Sequence, residues 1–328
     1  MRMQRRDFIR GTAAAGVAGM NMPSVFAQGA DPFPSKPIKI MVGFAAGGVT
    51  DLVVRAIAQA AADTLRQRVV VENRPGAGGV MPAQQLQSAP RDGYTLGLIV
   101  QSVFRLPYTM NAKWDPAKDL DYIIRLTGFT WGIVVPAKSP IKTFEDYIAF
   151  AKANPGQLTY ATSGALTTQH LTMEQIAKKV GITLNHVPFK GTAEAIPALL
   201  GGHVMSMADA STWSPYVESG EMRLLVVWTD KRVARYPKVP TLKEVGIDLI
   251  QTSPWGLAAP NGTPPHVIQV LHDGFKAAMD AKVFKDILNK FDMEPQYMNG
   301  QAYQKFAEEQ VHRETEALKS LGVQRNIS

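Results

Sequence analysis

The sequence predicts an α/β fold made of two lobes that are joined by two crossover strands. The main support is a repeated order of apolar strand, glycine-rich loop and helix, which begins at Ile38 and begins again after Thr143. The chain of 328 residues also exceeds one comfortable hydrophobic core. Residues 131–140 and 255–264 both run from Trp-Gly through an apolar strand to a proline-containing turn. We interpret these segments as strands that leave the first lobe and return to it; chance similarity of two short apolar runs is the alternative.

The first block of the chain alternates strands and helices. Val53, Ile57 and Leu65 recur at helical spacing after a glycine-rich turn, and Gln101 and Ser102 follow the third strand. Alternation of this kind predicts a parallel sheet with helices on both faces, in which ligands lie beyond the carboxyl ends of the strands. The predicted order is strand 38–42, turn 43–51 opening a helix, strand 68–72, loop 73–79, a helix from about Pro82 and strand 96–100.

The turn after the first strand predicts an anion site. Glycine allows the backbone to approach a ligand, and the N–H groups at the start of the following helix favour negative charge. Gly43, Gly48 and Thr50 have the spacing of a nucleotide P-loop, but Val49 stands at the lysine position. A triphosphate would lack its cationic partner there, so a smaller anion such as a carboxylate fits better. The alternative is a tight turn capped by Thr50, with Asp51 on the helix dipole.

The second block repeats the order of strand, loop and helix. Thr143 and Asp146 resemble a capping box that starts a helix, and Gly181 predicts a helix end. Asp209 stands at the end of a strand. The predicted order is a helix from 143 to 153, strand 158–161, loop 162–168, helix 169–180, strand 184–187, loop 188–192, helix 193–200, strand 204–208 and strand 224–228.

The first residues predict a leader rather than part of the fold. Arg5 and Arg6 begin a twin-arginine pattern, a mildly apolar run follows, and Ala27 offers a cleavage site. A chance Arg-Arg pair in a short tail is the alternative. We expect residues 1–27 to be a signal peptide that directs the folded protein into a bacterial periplasm. The expected division of the rest is residues 28–132 and 255–328 in the first lobe and residues 133–254 in the second.

Composition excludes several classes of function. The chain has no cysteine, so it has neither disulfides nor a thiolate metal site. Its six histidines form no pair at metal-binding spacing, and we expect neither a metal nor a cofactor. The formal charge of +7 falls to +4 without the leader, and no run of basic residues with aromatics predicts nucleic-acid binding. No later stretch is long and apolar enough to predict a transmembrane helix.

An ordered set of short motifs then gives a specific resemblance. The set follows the twin-arginine leader and consists of residues 44–51, 72–79, 162–164, 170–171, 187–191, 199–202 and 239–241. Over essentially the whole mature chain, this set resembles the solute-binding proteins of tripartite tricarboxylate transporters, the Bug or TctC family. The resemblance implies the periplasmic-binding-protein fold, a type II-like Venus-flytrap. It also implies capture of a small organic acid, such as a di- or tricarboxylate or an aromatic acid, and delivery to transporter membrane subunits.

The resemblance also implies a set of ligand-binding residues. The family grips its ligand largely through backbone amides, hydroxyls and ordered water. Here Gly43 and Ala46 replace prolines of its usual first loop, and residues 163–166 depart from its usual second loop. The implied residues are Phe44, Ala46, Gly47, Gly48, Thr50 and Asp51 in the first loop, Thr162, Ser163, Thr167 and Thr168 in the second, Phe189, Lys190 and Gly191 in the third, and Asp209. Gln101 and Ser102 join them because they lie at a strand end.

Several alternatives stay open at this stage. Lys190 could be a solvated loop lysine, and Asp209 could cap a loop or orient water. Trp131 could stack on an aromatic acid or belong to the core, as could Phe104 and Trp213. A periplasmic hydrolase using Ser163 and His170 would lack the usual nucleophile elbow. A ligand-sensing protein for a membrane receptor would share the same fold and binding chemistry. We expect a monomer, and the sequence does not select one particular acid.

Overall fold

Two mixed β-sheets organise the residues that the structure, a computed structural model, describes, namely 33–110 and 113–323. The predicted signal peptide lies outside these residues. The strands are β1 Ile38–Val42, β2 Val69–Asn73, β3 Thr95–Ile99, β4 Leu120–Thr127, β5 Trp131–Pro136, β6 Thr159–Thr162, β7 Asn185–Pro188, β8 Ser206–Ala210, β9 Met222–Val227, β10 Trp255–Pro260 and β11 Pro295–Asn299.

The α-helices lie between and after these strands. They are α1 Val49–Leu65, α2 Met81–Leu86, α3 Leu106–Thr109, α4 Phe144–Ala153, α5 Thr168–Val180, α6 Thr192–Leu200, α7 Ser214–Glu218, α8 Pro265–Ala278, α9 Lys282–Lys290 and α10 Gly300–Ser320. Short 3-10 helices cover Ala77–Gly79, Gln101–Arg105 and Ser211–Trp213. In the described part of the chain, no helix has both the length and the hydropathy needed to cross a membrane.

The local signals at helix ends act as the sequence predicts. The Thr143 side chain accepts from the Asp146 N–H, and Asp146 accepts from the Thr143 N–H, which confirms the capping box that starts α4. Gly181 follows α5 with φ of 68°, a left-handed conformation that costs glycine little. These interactions fix where the helices begin and end relative to the strands.

The parallel pairing expected for the strands of the first block is confirmed, but it does not extend across the whole of either sheet. The first sheet has the order β11-β4-β10-β3-β1-β2, and only its β2-β1-β3 section is paired in parallel. The second has the order β7-β6-β8-β5-β9, and β5 pairs antiparallel with both β8 and β9. The physical reason is the crossover: β5 enters the second sheet, and β10 enters the first, each from the opposite direction to its neighbours.

An aromatic cluster packs where the chain passes between the sheets. Trp131 stacks on Trp228 with ring centroids 6.1 Å apart, and Phe129 lies 4.9 Å from Trp131 and 5.8 Å from Trp255. These rings belong to one continuous core that includes apolar residues of both sheets. The described residues, 33–110 and 113–323, accordingly form one compact unit. The division into two lobes at the predicted boundaries stays a prediction.

Candidate functional site

A small cavity lies where the loops of both sheets meet. Its volume is about 30 Å³, which is enough for one or two water molecules. The loops that follow β1, β3 and β6, the start of α6 and the end of β8 contribute to its wall. Of the residues predicted from the sequence, the cavity brings together Phe44, Gly48, Thr50, Gln101, Ser102, Ser163, Thr167, Thr168 and Asp209.

The first loop is held in shape by Asp51. The carboxylate accepts hydrogen bonds from the Gly47 N–H at 2.9 Å, from Asn73 Nδ2 at 2.9 Å and from Arg55 Nε at 3.0 Å. Burial alone would raise the pKa of Asp51, but the bonds from Arg55, Gly47 and Asn73 lower it. Ala46 and Gly47 are exposed, and none of Ala46, Gly47 and Asp51 lines the cavity. Asp51 therefore supports the loop through the Gly47 N–H, whereas Ala46 lies at its exposed tip.

Helix N-termini from both sheets converge on the cavity. In the described part of the chain, α1, α5 and α6 begin after Gly48, Thr167 and Gly191, and none of these residues caps its helix with a side chain. Gly48, Thr167 and Thr192 line the cavity. The first N–H groups of a helix have no partner within it, and the dipole places partial positive charge there. The arrangement therefore favours an anion in the cavity.

The second loop turns back on itself through its own hydroxyl groups. Thr167 Oγ1 donates to the Gly164 carbonyl at 2.7 Å, and Thr162 Oγ1 donates to the same carbonyl at 3.0 Å. Gln169 Nε2 donates to Ser163 Oγ, and Thr168 Oγ1 lies 3.0 Å from Ser253 Oγ. Thr162 is buried behind the loop and does not line the cavity.

A second, more open cavity of 410 Å³ adjoins the first loop. Phe189 and Lys190 line it together with Phe44 and Ser163, which line the small cavity as well. The Phe44 ring packs so closely on Gly79 that a Cβ there would lie 2.5 Å from it. Gly191 lines neither cavity, and it approaches Ala45 across the gap between the loops. The third predicted loop thus lies at the more open side of the site.

Arg105 is a site residue that sequence reasoning missed. Its side chain is 3% exposed, and its Nε donates to Glu314 Oε2 at 2.6 Å. The other guanidinium nitrogens donate to the Leu166 carbonyl and to Thr168 Oγ1, both at 3.1 Å. Arg105 therefore joins α10 to the second loop behind the cavity. The one signal in the sequence that could have indicated Arg105 was its position four residues after Gln101, which directly follows an apolar strand.

Gln101 lies beside this arginine. Its Nε2 donates to Gln310 Oε1 at 2.6 Å and to Glu314 Oε1 at 2.7 Å. Within the described residues, the buried Gln101 Oε1 has no hydrogen-bond partner. A buried polar atom without a partner is uncommon, and Gln101 lines the cavity. A ligand group or a water in the cavity could satisfy it.

Asp209 is the one carboxylate in the cavity wall, within residues 33–110 and 113–323. It is 2% exposed and lies in β8, where Thr192 Oγ1 donates to Oδ2 at 2.7 Å and the Ala210 N–H donates to Oδ1 at 2.7 Å. Burial raises the pKa of Asp209 to about 7, although these hydrogen bonds oppose the shift.

Aromatic side chains form part of the wall. Phe129 and Trp131 line the cavity, whereas Phe104 and Trp213 are fully buried in the core and do not. The Trp131 Nε1–H is buried and has no acceptor among the described residues. Sequence reasoning did not select Phe129, Gln169, Thr192 or Ser253, which also line the cavity. These residues reach the cavity because of the crossover and the pairing of β8, and local sequence patterns predict neither of these.

His170 and Ser163 have separate partners. His170 Nδ1 accepts from the Leu166 N–H at 3.0 Å, and its ring stacks on His186 at 4.0 Å. In the described part of the chain, no hydrogen bond joins His170 to Ser163. Burial lowers the pKa of His170, and burial together with His170 lowers that of His186 to about 4. Across the same residues, no group of three His, Asp or Glu could ligate a metal ion.

The sheets, the crossover strands and the cavity at the loop ends define a protein of the solute-binding class. The model of the tripartite tricarboxylate transporter family receptor matches residues 53–323. A relative from Cupriavidus necator, described as the UPF0065 protein in the gbd 5' region, is 55% identical over 98% of this chain and 99% of its own. The chain belongs to the tripartite tricarboxylate transporter receptor family.

Solved structures of similar proteins agree with this assignment. The periplasmic binding protein BugD superimposes with a TM-score of 0.85 and 30% identity over 89% of this chain and 99% of its own. MatC from Rhodopseudomonas palustris with bound malate has a TM-score of 0.81 and 26% identity over 87% of this chain and 100% of its own. Another R. palustris protein, solved with adipate, has a TM-score of 0.83 and 28% sequence identity over 88% of this chain and 98% of its own.

Proposed function

We propose that this chain captures a small organic acid in the cavity between the loops of its two sheets and delivers it to the membrane subunits of a tripartite transporter. The observation that carries the proposal is the convergence of three uncapped helix N-termini on one cavity. Hydroxyl groups of Ser163 and Thr168 add hydrogen-bonding capacity from the second sheet. The malate and adipate in the two R. palustris relatives support a dicarboxylate as the ligand.

The proposed mechanism is hinge closure without chemistry. A carboxylate docks on the N–H groups near Gly48 and Thr50, and Ser163 and Thr168 then close on it from the second lobe, residues 133–254. The membrane subunits recognise the closed form. The separate partners of Ser163 and His170 speak against a hydrolase.

We further propose that the twin-arginine leader exports the folded chain to the periplasm. The expectation that the protein is a monomer stays a prediction.

A thermal-shift screen of the purified protein tests this proposal. Malate, adipate and benzoate are each compared with an uncharged analogue, such as the corresponding amide. A ligand that binds only the native state at about 100 times its Kd adds about 2.7 kcal/mol, so Tm should rise by several degrees with at least one acid. Stabilisation by the uncharged analogues alone would contradict a carboxylate ligand. Substituting Ser163→Ala or Thr168→Ala should then weaken the affinity for the stabilising acid about tenfold.

A further inference from the structure

Asp209 occupies an unusual position for a protein that binds acids. The carboxyl group is almost fully buried in the wall of a cavity whose other features favour an anion. Thr192 Oγ1 and the Ala210 N–H each donate to one of its oxygens, and Gln169 Nε2 lies 3.5 Å from Oδ1. These donors are neutral. They hold the carboxyl group in place without supplying a positive charge.

No cation offsets Asp209 from the elements packed against β8, within the residues that the structure describes. The near titratable groups on α5 are His170, which accepts from the Leu166 N–H, and Glu174, which accepts from Tyr160 on β6. Glu194 on α6 accepts from the Lys190 N–H, and β5 carries no charged residue. Across the cavity, Arg105 is paired with Glu314.

Arg55 is paired with Asp51, and Lys190 lines the more open cavity but not the small one. An ionised Asp209 beside an ionised ligand would therefore bring two negative charges together in a buried site, and that arrangement is strongly unfavourable. The protein could avoid it by adding a proton. A protonated carboxyl group could donate a hydrogen bond to the ligand while it keeps accepting from Thr192.

We propose that Asp209 takes up a proton from solvent when an organic acid enters the cavity, so that a neutral carboxyl group donates a hydrogen bond to the bound carboxylate. This inference rests on the proposed function, because it needs an anionic ligand. Burial already raises the pKa of Asp209 to about 7 without ligand, and an adjacent carboxylate raises it further. A pKa of about 7 leaves Asp209 half protonated at pH 7, so binding carries about half a proton into the protein at pH 7 and nearly one at pH 8.

Proton uptake also restricts the chemistry of the ligand at this end of the cavity. A neutral carboxyl group suits a carboxylate, whereas an ammonium group would favour the ionised form of Asp209 instead. The portion of the ligand beside Asp209 should therefore carry an acid group and no amine. Hydroxy acids and plain dicarboxylic acids meet this condition, and α-amino acids do not.

Calorimetric titration with malate and with adipate tests the proposal on the full chain. Both ligands lose their last carboxyl proton below pH 6 and are largely ionised from pH 6 to pH 9, so their own titration contributes little over this range. Affinity should fall roughly 100-fold from pH 6 to pH 9, because the fraction of molecules with a protonated Asp209 falls over that range. At pH 8, the binding heats in phosphate and in Tris should differ by the amount that uptake of about one proton requires.

Two substitutions separate the role of Asp209 from that of buried carboxyls in general. Asp209→Asn keeps the size and offers an N–H in place of the acid O–H, so it should bind at pH 9 as well as at pH 6 and take up no proton. The matched control is Asp121→Asn, because burial also raises the pKa of Asp121, which accepts from the Thr263 N–H away from the cavity. The Asp121→Asn variant should show the same fall in ligand affinity between pH 6 and pH 9 as the wild type.

Equal pH dependence in the wild type and in Asp209→Asn would overturn the proposal, as would loss of binding in Asp209→Asn at every pH. A carboxyl-carbon NMR titration of the ligand-free protein is a separate measurement, with Asp209→Asn used for assignment. A resonance of Asp209 that titrates near 7 supports the inference, and one that titrates near 4 overturns it. If no acid of the thermal-shift screen binds at any pH, the proposed function fails, and the NMR titration still decides the protonation of Asp209.

Discussion

Asp51 and Asp209 are both buried carboxylates beside the first and second loops, but their surroundings are opposite. Asp51 has a guanidinium and two neutral donors, so it stays ionised and holds the first loop. Asp209 has neutral donors alone, among the described residues, and faces the cavity. The two aspartates therefore differ in ionisation because Asp51 has a cation beside it and Asp209 does not.

Gly48 offers a direct test of the first loop. Its φ of −75° suits any residue, and a Cβ built there would lie 3.7 Å from the Ala45 carbonyl oxygen, in ordinary contact. A Cβ alone therefore fits at this position, and the longer side chain of Gly48→Leu would extend into the cavity and fill it. We expect affinity for the stabilising acid, measured by calorimetry, to fall at least about 100-fold. Unchanged affinity would remove this loop from the site.

His186 predicts a loss of stability in acid. Its pKa of about 4 in the folded protein lies below the ordinary value of about 6.5, so the unfolded chain binds more protons between these values. The free energy of unfolding should therefore fall as pH falls from 6.5 to 4. His186→Gln should flatten this dependence by on the order of 1–3 kcal/mol, measured by urea denaturation at both pH values. A dependence identical to that of the wild type would contradict a neutral imidazole at the half-buried His186.

At the scale of elements, the cavity depends on α10 as well as on the loops around it. Glu314 on α10 binds Arg105 and Gln101, and Arg105 binds the second loop through Leu166 and Thr168. The last helix therefore positions loop residues that are far from it in sequence. Removal of one partner would leave a buried charge without compensation.

Arg105→Ala should destabilise the protein by about 3–5 kcal/mol, because Glu314 would remain largely buried without its partner. Arg105→Met combined with Glu314→Gln should recover part of this loss, because neither charge then remains. The matched control is Lys282→Ala, which breaks an exposed ion pair with Asp286 and should leave Tm essentially unchanged. Chemical denaturation measures all of these variants. Equal losses in Arg105→Ala and Lys282→Ala would contradict a structural role for the buried pair.

At the scale of the whole molecule, the small volume of the cavity implies movement. Space of about 30 Å³ holds one or two waters, so a dicarboxylate must displace both the water and part of the wall. Loops of the two sheets touch directly, since a Cβ on Gly78 would lie 3.1 Å from the Ala165 carbonyl oxygen. We propose that these loops separate when a ligand enters. The aromatic cluster around Trp131 lies at the crossover, and we propose that the hinge lies there.

The sequence allowed most strands and helices to be predicted, because their signals are local. Hydrophobic spacing located α1, and the pair of Thr143 and Asp146 located the start of α4. Sequence reasoning did not identify β11, which is a polar edge strand with alternating exposure. It also missed the antiparallel pairing of the crossover strands, because strand direction depends on which sheet a strand enters.

The candidate site was predictable to a lesser degree. Glycine-rich turns pointed to loops near Gly48 and Ser163, and the cavity lies between those loops. Arg105 could not be identified, because its role depends on Glu314, which lies 209 residues away in the chain. Asp51 was assigned to the ligand because it belongs to the loop, but its partners Arg55 and Asn73 become visible once the chain is folded.

A crystal structure of the protein with its most stabilising acid is the most direct test of the central claim. The account predicts the ligand in the cavity between the two sheets. One carboxylate should accept hydrogen bonds from backbone N–H groups between Gly48 and Thr50, and Ser163 or Thr168 should contact the ligand from the other side. An acid bound elsewhere on the protein, or a site that touches the loops of one sheet alone, would contradict the account.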